Sequence, residues 1–312
     1  MDKKSLFSSH SLTSCINEGC MFLVRQLPMV SKVLMPYFTV ASFLSVLSIA
    51  YNIKLNVAVQ AYSGVTLNEV IQAMALYTLS WLATVLAMSR MFLMFRRLMA
   101  LEIPLPEDAT ATKWMMFRRT MVRTVQLAWR SLPYTIWVLV INMPGFPIIN
   151  TYMNYVDALS WEKRALIIGA TFILSVLLAI VLAPMIYTFF CRMMKPNREV
   201  SGVPDMKQFD FLVAYRKGFR NVVKILSLAV WGSFLLFIAC AVILMPGIVA
   251  TEAYLSSVEG SVNYGDTALI PAYGYTLMYI IGTIAVTLCG IFGVAYAISL
   301  LHLFGDIYSK NK

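Results

Sequence analysis

Histidine is almost missing from this chain of 312 residues: His10 and His302 are its only two, and charged residues of all kinds make up only 13%. There is no HExxH zinc pair, no GxSxG nucleophile elbow and no phosphate loop ending in Gly-Lys-Ser/Thr. Cysteine is sparse too. Cys15, Cys20 and Cys191 fall on the basic side described below and Cys240 and Cys289 within apolar runs, so no disulfide framework is expected. The few acids do not converge. Glu107 and Asp108 are neighbours in the Pro-rich stretch IPLPEDATAT and cannot share a helix face, which makes that stretch a solvated connector. Glu252 and Glu259 fall in an outer loop, where they could meet a cation, but seven residues of loop leave the geometry open. His302 ends the last apolar run, where snorkelling or helix capping suits it better than catalysis. The sequence therefore offers no catalytic residue, metal site or cofactor site, and the chain is not expected to be an enzyme.

Apolar length is what the chain has in abundance. Hydrophobic residues make up 60% of it. Six runs, near 33–53, 70–92, 131–151, 165–190, 225–249 and 272–303, reach the roughly 20 residues a helix needs to cross a bilayer core. Hydrocarbon cannot hydrogen-bond free backbone groups, so each run is expected to be helical. The alternation of barrel strands, about 10 residues each, is not seen. These features define an all-α polytopic membrane protein with six transmembrane helices, residues 1–312 forming a single membrane domain.

Basic residues set the orientation. Of the 25 Lys and Arg residues, only Lys54, Lys163 and Arg164 fall on the side that also holds Glu69, Asp157, Glu162, Glu252, Glu259 and Asp266. The others lie with both termini and the second and fourth connections, which the positive-inside rule assigns to the cytoplasm. A multi-pass protein of the cytoplasmic (inner) membrane follows, with both termini cytoplasmic. The net charge of +10 is this bias made visible and calls for no nucleic acid. The N-terminal MDKKSLFSSHSLTSC lacks a short apolar core with a small-residue cleavage site, so the first span is expected to act as the insertion signal.

The chain also repeats itself. With a shift of 102, FRRTMVRTVQLAWRSLPYTIWVLVINMPGFPIINTY (117–152) overlays FRNVVKILSLAVWGSFLLFIACAVILMPGIVATEAY (219–254) without a gap. Phe117 meets Phe219, Arg118 meets Arg220, Trp129 meets Trp231, and Met143-Pro144-Gly145 meets Met245-Pro246-Gly247. FRRLM at 95–99 echoes FCRMM at 190–194, and Arg25, Leu27 and Pro28 echo Arg130, Leu132 and Pro133. Three tandem parallel repeats result, over about 10–100, 110–196 and 207–308. Each comprises an amphipathic cytoplasmic lead-in helix, a span, an outer loop and a returning span, compatible with a pseudo-threefold along the membrane normal.

In the second lead-in, Trp114, Phe117, Met121, Val125 and Ala128 form an apolar stripe, with Arg119, Arg123, Gln126 and Arg130 on another face. In the third, Phe209, Leu212, Phe219, Val223 and Leu226 form the apolar side and Arg216, Arg220 and Lys224 the basic one. Helices of this kind lie at the interface with cations among anionic headgroups, at about 1 kcal/mol per charge. The headgroup-facing candidates are Arg118, Arg119, Arg123, Arg216, Arg220 and Lys224. The bland alternative makes these helices the cytoplasmic ends of tilted spans. Pro144-Gly145 and Pro246-Gly247 predict a kink or stop, since proline removes a donor and glycine weakens a helix. Termination near the outer surface and a broken, reentrant helix are the two forms this could take.

The segments NEGCMFLVRQLPMV, FRRTMVRTVQLAWRSLP and YRKGFRNVVKILSLAVWGSF, each followed by a span, carry a resemblance. It is to bacterial six-span proteins of the type that form the membrane domain of some glycerophosphodiester phosphodiesterases, and to related stand-alone inner-membrane proteins. The resemblance is architectural and implies an envelope protein of that type. It carries over no functional residue and no phosphodiesterase activity, because the soluble domain is missing. Intramembrane ionisable residues, the usual mark of ion and proton paths, are seen only as Arg90, Arg130 and His302 towards cytoplasmic ends. The sequence thus points to a lipid-associated scaffold or partner-binding membrane protein. Its partners would be membrane lipids, with a membrane protein or a second copy of the chain as further candidates. The alternative is a permease or channel for a small or amphiphilic solute.

Overall fold

The computed structural model describes residues 11–60, 66–98, 113–142, 161–194, 210–262 and 272–309. Among the described residues every regular element is a helix: α1 (Leu12–Gln60), α2 (Leu67–Leu98), α3 (Lys113–Asn142), α4 (Trp161–Met194), α5 (Phe211–Arg220), α6 (Val222–Val262) and α7 (Ala272–Ser309). Five of them, α1, α2, α4, α6 and α7, are long and apolar enough to cross a membrane. The third expected span begins on α3, and its residues 143–151, with Pro144 and Gly145, lie outside the described residues.

Side chains start and stop these helices. Ser11 accepts from the Ser14 amide (3.2 Å) ahead of α1. Thr66 and Glu69 form a reciprocal capping box on α2: the Thr66 amide donates to Glu69 (2.9 Å) and the Glu69 amide to the Thr66 hydroxyl (3.4 Å). Asp210 caps α5 through the Leu212 amide, and Asn221 closes it with its backbone N–H on Gly218 and its side chain on Lys217. Asn221 alone separates α5 from α6. The first and second lead-ins differ from the third in this respect, being continuous with the helices that follow them.

Five prolines among the described residues lie inside helices without ending them. Pro28 and Pro36 lie inside α1, Pro133 inside α3, Pro184 inside α4 and Pro246 inside α6. Of the kink or stop expected at Pro246-Gly247, the stop is corrected: α6 runs through both residues to Val262, taking in Glu252 and Glu259, which are not in a loop. A proline forfeits one backbone bond, whereas unwinding apolar chain frees several, so in hydrocarbon the helix continues. Hydroxyls in the spans follow the same logic. Ser45, Thr84, Ser89, Thr287 and Ser299 each donate to the carbonyl four residues back, at 2.7–2.9 Å.

Packing divides the chain into two compact units. One, called here the basic unit, comprises Met1–Cys15, Phe95–Val230 and Leu300–Lys312. Its core holds an aromatic chain in which Tyr134 meets Phe189 edge-on (5.4 Å), Phe189 meets Phe190 (6.4 Å), and Phe304 meets both Phe190 (4.8 Å) and Tyr187 (5.3 Å). These contacts join α3, α4 and α7. The most apolar stretch of α4 has no buried residue among those described, and Leu166, Ile168, Ile173 and Leu177 are exposed.

The other, the apolar unit, comprises Ile16–Met94 and Trp231–Ser299. Across its α1–α2 contact the Ser45 and Ser80 hydroxyls share a hydrogen bond (2.8 Å) and Tyr51 donates to Gln72 (2.6 Å). Such bonds contribute about 1 kcal/mol each in a membrane. Arg90 lies over the Tyr37 ring at 5.5 Å. Small residues set the closest approach: a Cβ on Gly19 would collide with the Ala295 carbonyl and Ser299 of α7.

A Gly19→Ala substitution is expected to destabilise the protein by about 1–3 kcal/mol through overpacking against backbone that cannot yield. Gly293→Ala, where nothing lies within 4 Å, is expected not to destabilise and to add up to about 1 kcal/mol through helix propensity. Thermal unfolding of both variants in detergent provides the comparison.

Candidate functional site

Helix α3 shows the protein one narrow face. Thr124, Leu127, Ser131 and Tyr134, spaced three, four and three apart, are its buried residues. Two arginines at the ends of neighbouring helices reach this helix. Arg97 of α2 donates to the Thr120 hydroxyl (3.3 Å), and Arg192 of α4 lies over the Tyr134 ring (5.6 Å). Most of the large side chains on the remaining surface are exposed: Trp114, Met115, Phe117, Val122, Val125 and Trp129, the last at 74%. Trp114 and Phe117 stack at 5.7 Å. Beside them Met115, Arg118, Arg119, Val122, Arg123 and Gln126 line an open groove of about 410 Å³. Its walls carry cations and an amide, none of the six side chains is acidic, and what such a surface can recognise is an anion at an apolar boundary.

Helix α5 is placed by different means. Ala214 and Gly218 are its buried residues, and a Cβ on Gly218 would stand 3.0 Å from the Pro184 Cα of α4. The Tyr215 hydroxyl points to the Val181 carbonyl at 3.5 Å, the outer limit of a hydrogen bond. Docking through this small-residue face leaves Phe211, Leu212, Val213, Phe219 and Val223 exposed. Arg216, Arg220 and Lys224, four residues apart along α5 and the start of α6, are exposed as well. Trp231, the counterpart of Trp129, is 60% exposed.

The six headgroup-facing candidates are thus distributed in two sets. Arg118, Arg119 and Arg123 line one groove, while Arg216, Arg220 and Lys224 form a separate row and do not line it. Of the apolar stripes, Trp114, Phe117, Val125, Leu212, Phe219 and Val223 are exposed; Phe209 lies outside the described residues. Pro246 is exposed on an unbroken helix, and Gly247 packs near Ile281.

Sequence reasoning missed a set of buried polar groups in the basic unit. Arg96 is 1% exposed, Asp306 1% and His302 2%. His302 is therefore neither snorkelling nor capping: α7 continues to Ser309 and carries it into the core. Arg96 donates to the Met193 carbonyl (2.9 Å) at the end of α4, joining the paired segments FRRLM and FCRMM. The available signal was the four-residue spacing of His302 and Asp306, which puts both on one helix face. Among the described residues no group of three or more His, Cys, Asp or Glu side chains could hold a metal ion.

Long apolar helices with their large side chains turned outward define the class: this is an α-helical integral membrane protein that crosses the bilayer several times. Comparison with protein-family models, curated proteins and solved structures finds no match.

The neighbours Arg96 and Arg97 should respond differently to truncation. Arg96→Ala removes a buried hydrogen-bonded charge and is expected to cost about 2–4 kcal/mol, against under about 1 kcal/mol for Arg97→Ala at an exposed contact. Melting temperatures of the two variants in detergent test this.

Proposed function

We propose that this is a lipid-associated protein of the cytoplasmic membrane, with six spans in three tandem parallel repeats and both termini in the cytoplasm. It has no catalytic role and works as a scaffold with lipids or a membrane partner. One observation carries the reading. On both α3 and α5 the face docked against protein is narrow, and the large apolar and basic side chains are turned outward together. Water would penalise that arrangement, whereas a bilayer interface rewards it, apolar groups entering the acyl boundary and cations meeting phosphates. Exposed Trp114, Trp129 and Trp231 on the basic side and Trp161 at the other end of a span fit the aromatic belts of the two interfaces. The permease alternative drew on broken helices at the outer mouth, and the unbroken course of α6 through Pro246 withdraws that support from the second copy.

Native mass spectrometry after gentle extraction is expected to show retained anionic lipid. Charge reversal of Arg118, Arg119 and Arg123 is expected to weaken that retention by about 1 kcal/mol or more per residue. A bare protein that moves solute across vesicles would transfer the case to the permease. Topology has its own test: reporters fused to the two termini should both read cytoplasmic. Reporters on opposite sides would leave an odd number of spans and remove the three-pair repeat.

A further inference from the structure

We infer that the groove on α3 is a binding site for one class of membrane lipid, whose headgroup carries two negative charges on a phosphomonoester or on two linked phosphodiesters. The inference rests on the lipid-facing reading above and narrows it. Met115, Arg119 and Arg123 form one ridge of α3 at four-residue spacing, and Arg118, Val122 and Gln126 form the next. The groove between these ridges therefore has guanidinium groups on both walls, Arg119 and Arg123 on one and Arg118 on the other, with Gln126 adding an amide donor at one end. Its 410 Å³ lies within the range of small-ligand sites, about 300–1,000 Å³. Three planar, forked cations match a dianion better in charge and in bond direction than they match a single negative charge. The lipid source follows from what else is there. Met115 and Val122 make part of the walls apolar, the Trp114–Phe117 stack lies alongside, and exposed Val125 and Trp129 continue along the helix. A soluble phosphate has no use for such neighbours; a glycerol backbone with acyl chains does.

The internal repeat shows that the groove is more than a general excess of cations. In the register of 102, Arg123 and Gln126 fall on Ile225 and Leu228 of α6, and both of those are fully buried. On α3 the buried positions are instead Thr124 and Leu127, one residue further along. The helix is thus turned by about 100° relative to its counterpart, the rotation of a single residue. That turn brings two positions out of the core, and the chain fills them with Arg and Gln. Attraction to an anionic surface needs cations anywhere on that side and does not need this turn.

The test uses the full chain in nanodiscs of zwitterionic lipid, titrated with cardiolipin, phosphatidic acid or phosphatidylglycerol at equal total charge. Bound lipid is counted by native mass spectrometry. The two doubly charged lipids are expected to bind about five-fold or more tightly than phosphatidylglycerol, the worth of one further matched charge. Combined Arg118→Gln, Arg119→Gln and Arg123→Gln should abolish that preference, and Arg216→Gln, Arg220→Gln and Lys224→Gln, which remove the same charge elsewhere, should leave it intact. If the groove variant does not fold, Arg118→Lys, Arg119→Lys and Arg123→Lys decides, since charge is kept and only the fork geometry is lost; the preference should then fall. A preference untouched by the groove variants, or lost equally with both sets of glutamines, overturns the groove site while leaving general headgroup contact standing. Displacement by millimolar inorganic phosphate overturns the lipid as its occupant. Failure of every anionic lipid to bind removes both readings.

Discussion

Hydrocarbon offers no hydrogen bond, and most of this structure follows from that. Every backbone donor in a span must find its acceptor inside the same helix, so among the described residues the chain uses one kind of regular element. The same constraint governs side chains. Span hydroxyls turn back on the carbonyl four residues earlier, and Ser45 and Ser80 spend their remaining capacity on each other. It also explains why five prolines lie within helices without ending them. In water an interrupted helix can give its free groups to solvent. Here the smaller loss is to stay wound.

The two units cohere by partly different means. Both bring a glycine against the backbone of a neighbouring helix, Gly19 in the apolar unit and Gly218 in the basic one, but the apolar unit adds short polar contacts between α1 and α2. The basic unit has a more mixed core, which holds a run of aromatic rings and also buried Thr124, Thr188, Arg96, His302 and Asp306. Charges are tolerated there because they have directed partners, as the bond from Arg96 to the Met193 carbonyl shows. The same unit carries the exposed Arg118, Arg216, Arg220 and Lys224. Positive charge in this unit therefore has two structural meanings, one inside the core and one at its surface.

Much of this was readable in advance, and the failures have physical causes. Long apolar runs are hard to mistake, and five of the six gave helices of the required length and polarity, while much of the sixth falls on residues 143–151. Of the amphipathic stripes, Trp114, Phe117, Val125, Leu212, Phe219 and Val223 are uncovered, while Met121, Ala128 and Leu226 are half-buried. The stripes could not show which face would dock, because docking is done by residues that leave little trace in a hydropathy pattern: Ala214 and Gly218 on α5, Thr124 and Ser131 on α3. At Pro246-Gly247 a kink or stop was read because both residues weaken a helix in water, and the stop did not occur. Arg96 and Arg97 are adjacent, alike and on the basic side, and only tertiary packing separates the buried one from the exposed one. Asp306 was passed over because the last span was ended at residue 303, three positions before it.

The docking of α5 on α4 through Gly218 and Pro184 has a consequence for how such a chain can vary. A lipid-facing leucine can become isoleucine, valine or phenylalanine with little effect, because acyl chains accept any apolar shape. A glycine that meets backbone has no substitute. Mutational tolerance is thus the reverse of what a water-soluble protein leads one to expect, with bulky apolar positions free to drift and the smallest residues held fixed. Relatives of this protein would be recognised less by shared identity along the spans than by the spacing of a few glycines, prolines and inward-turned polar groups.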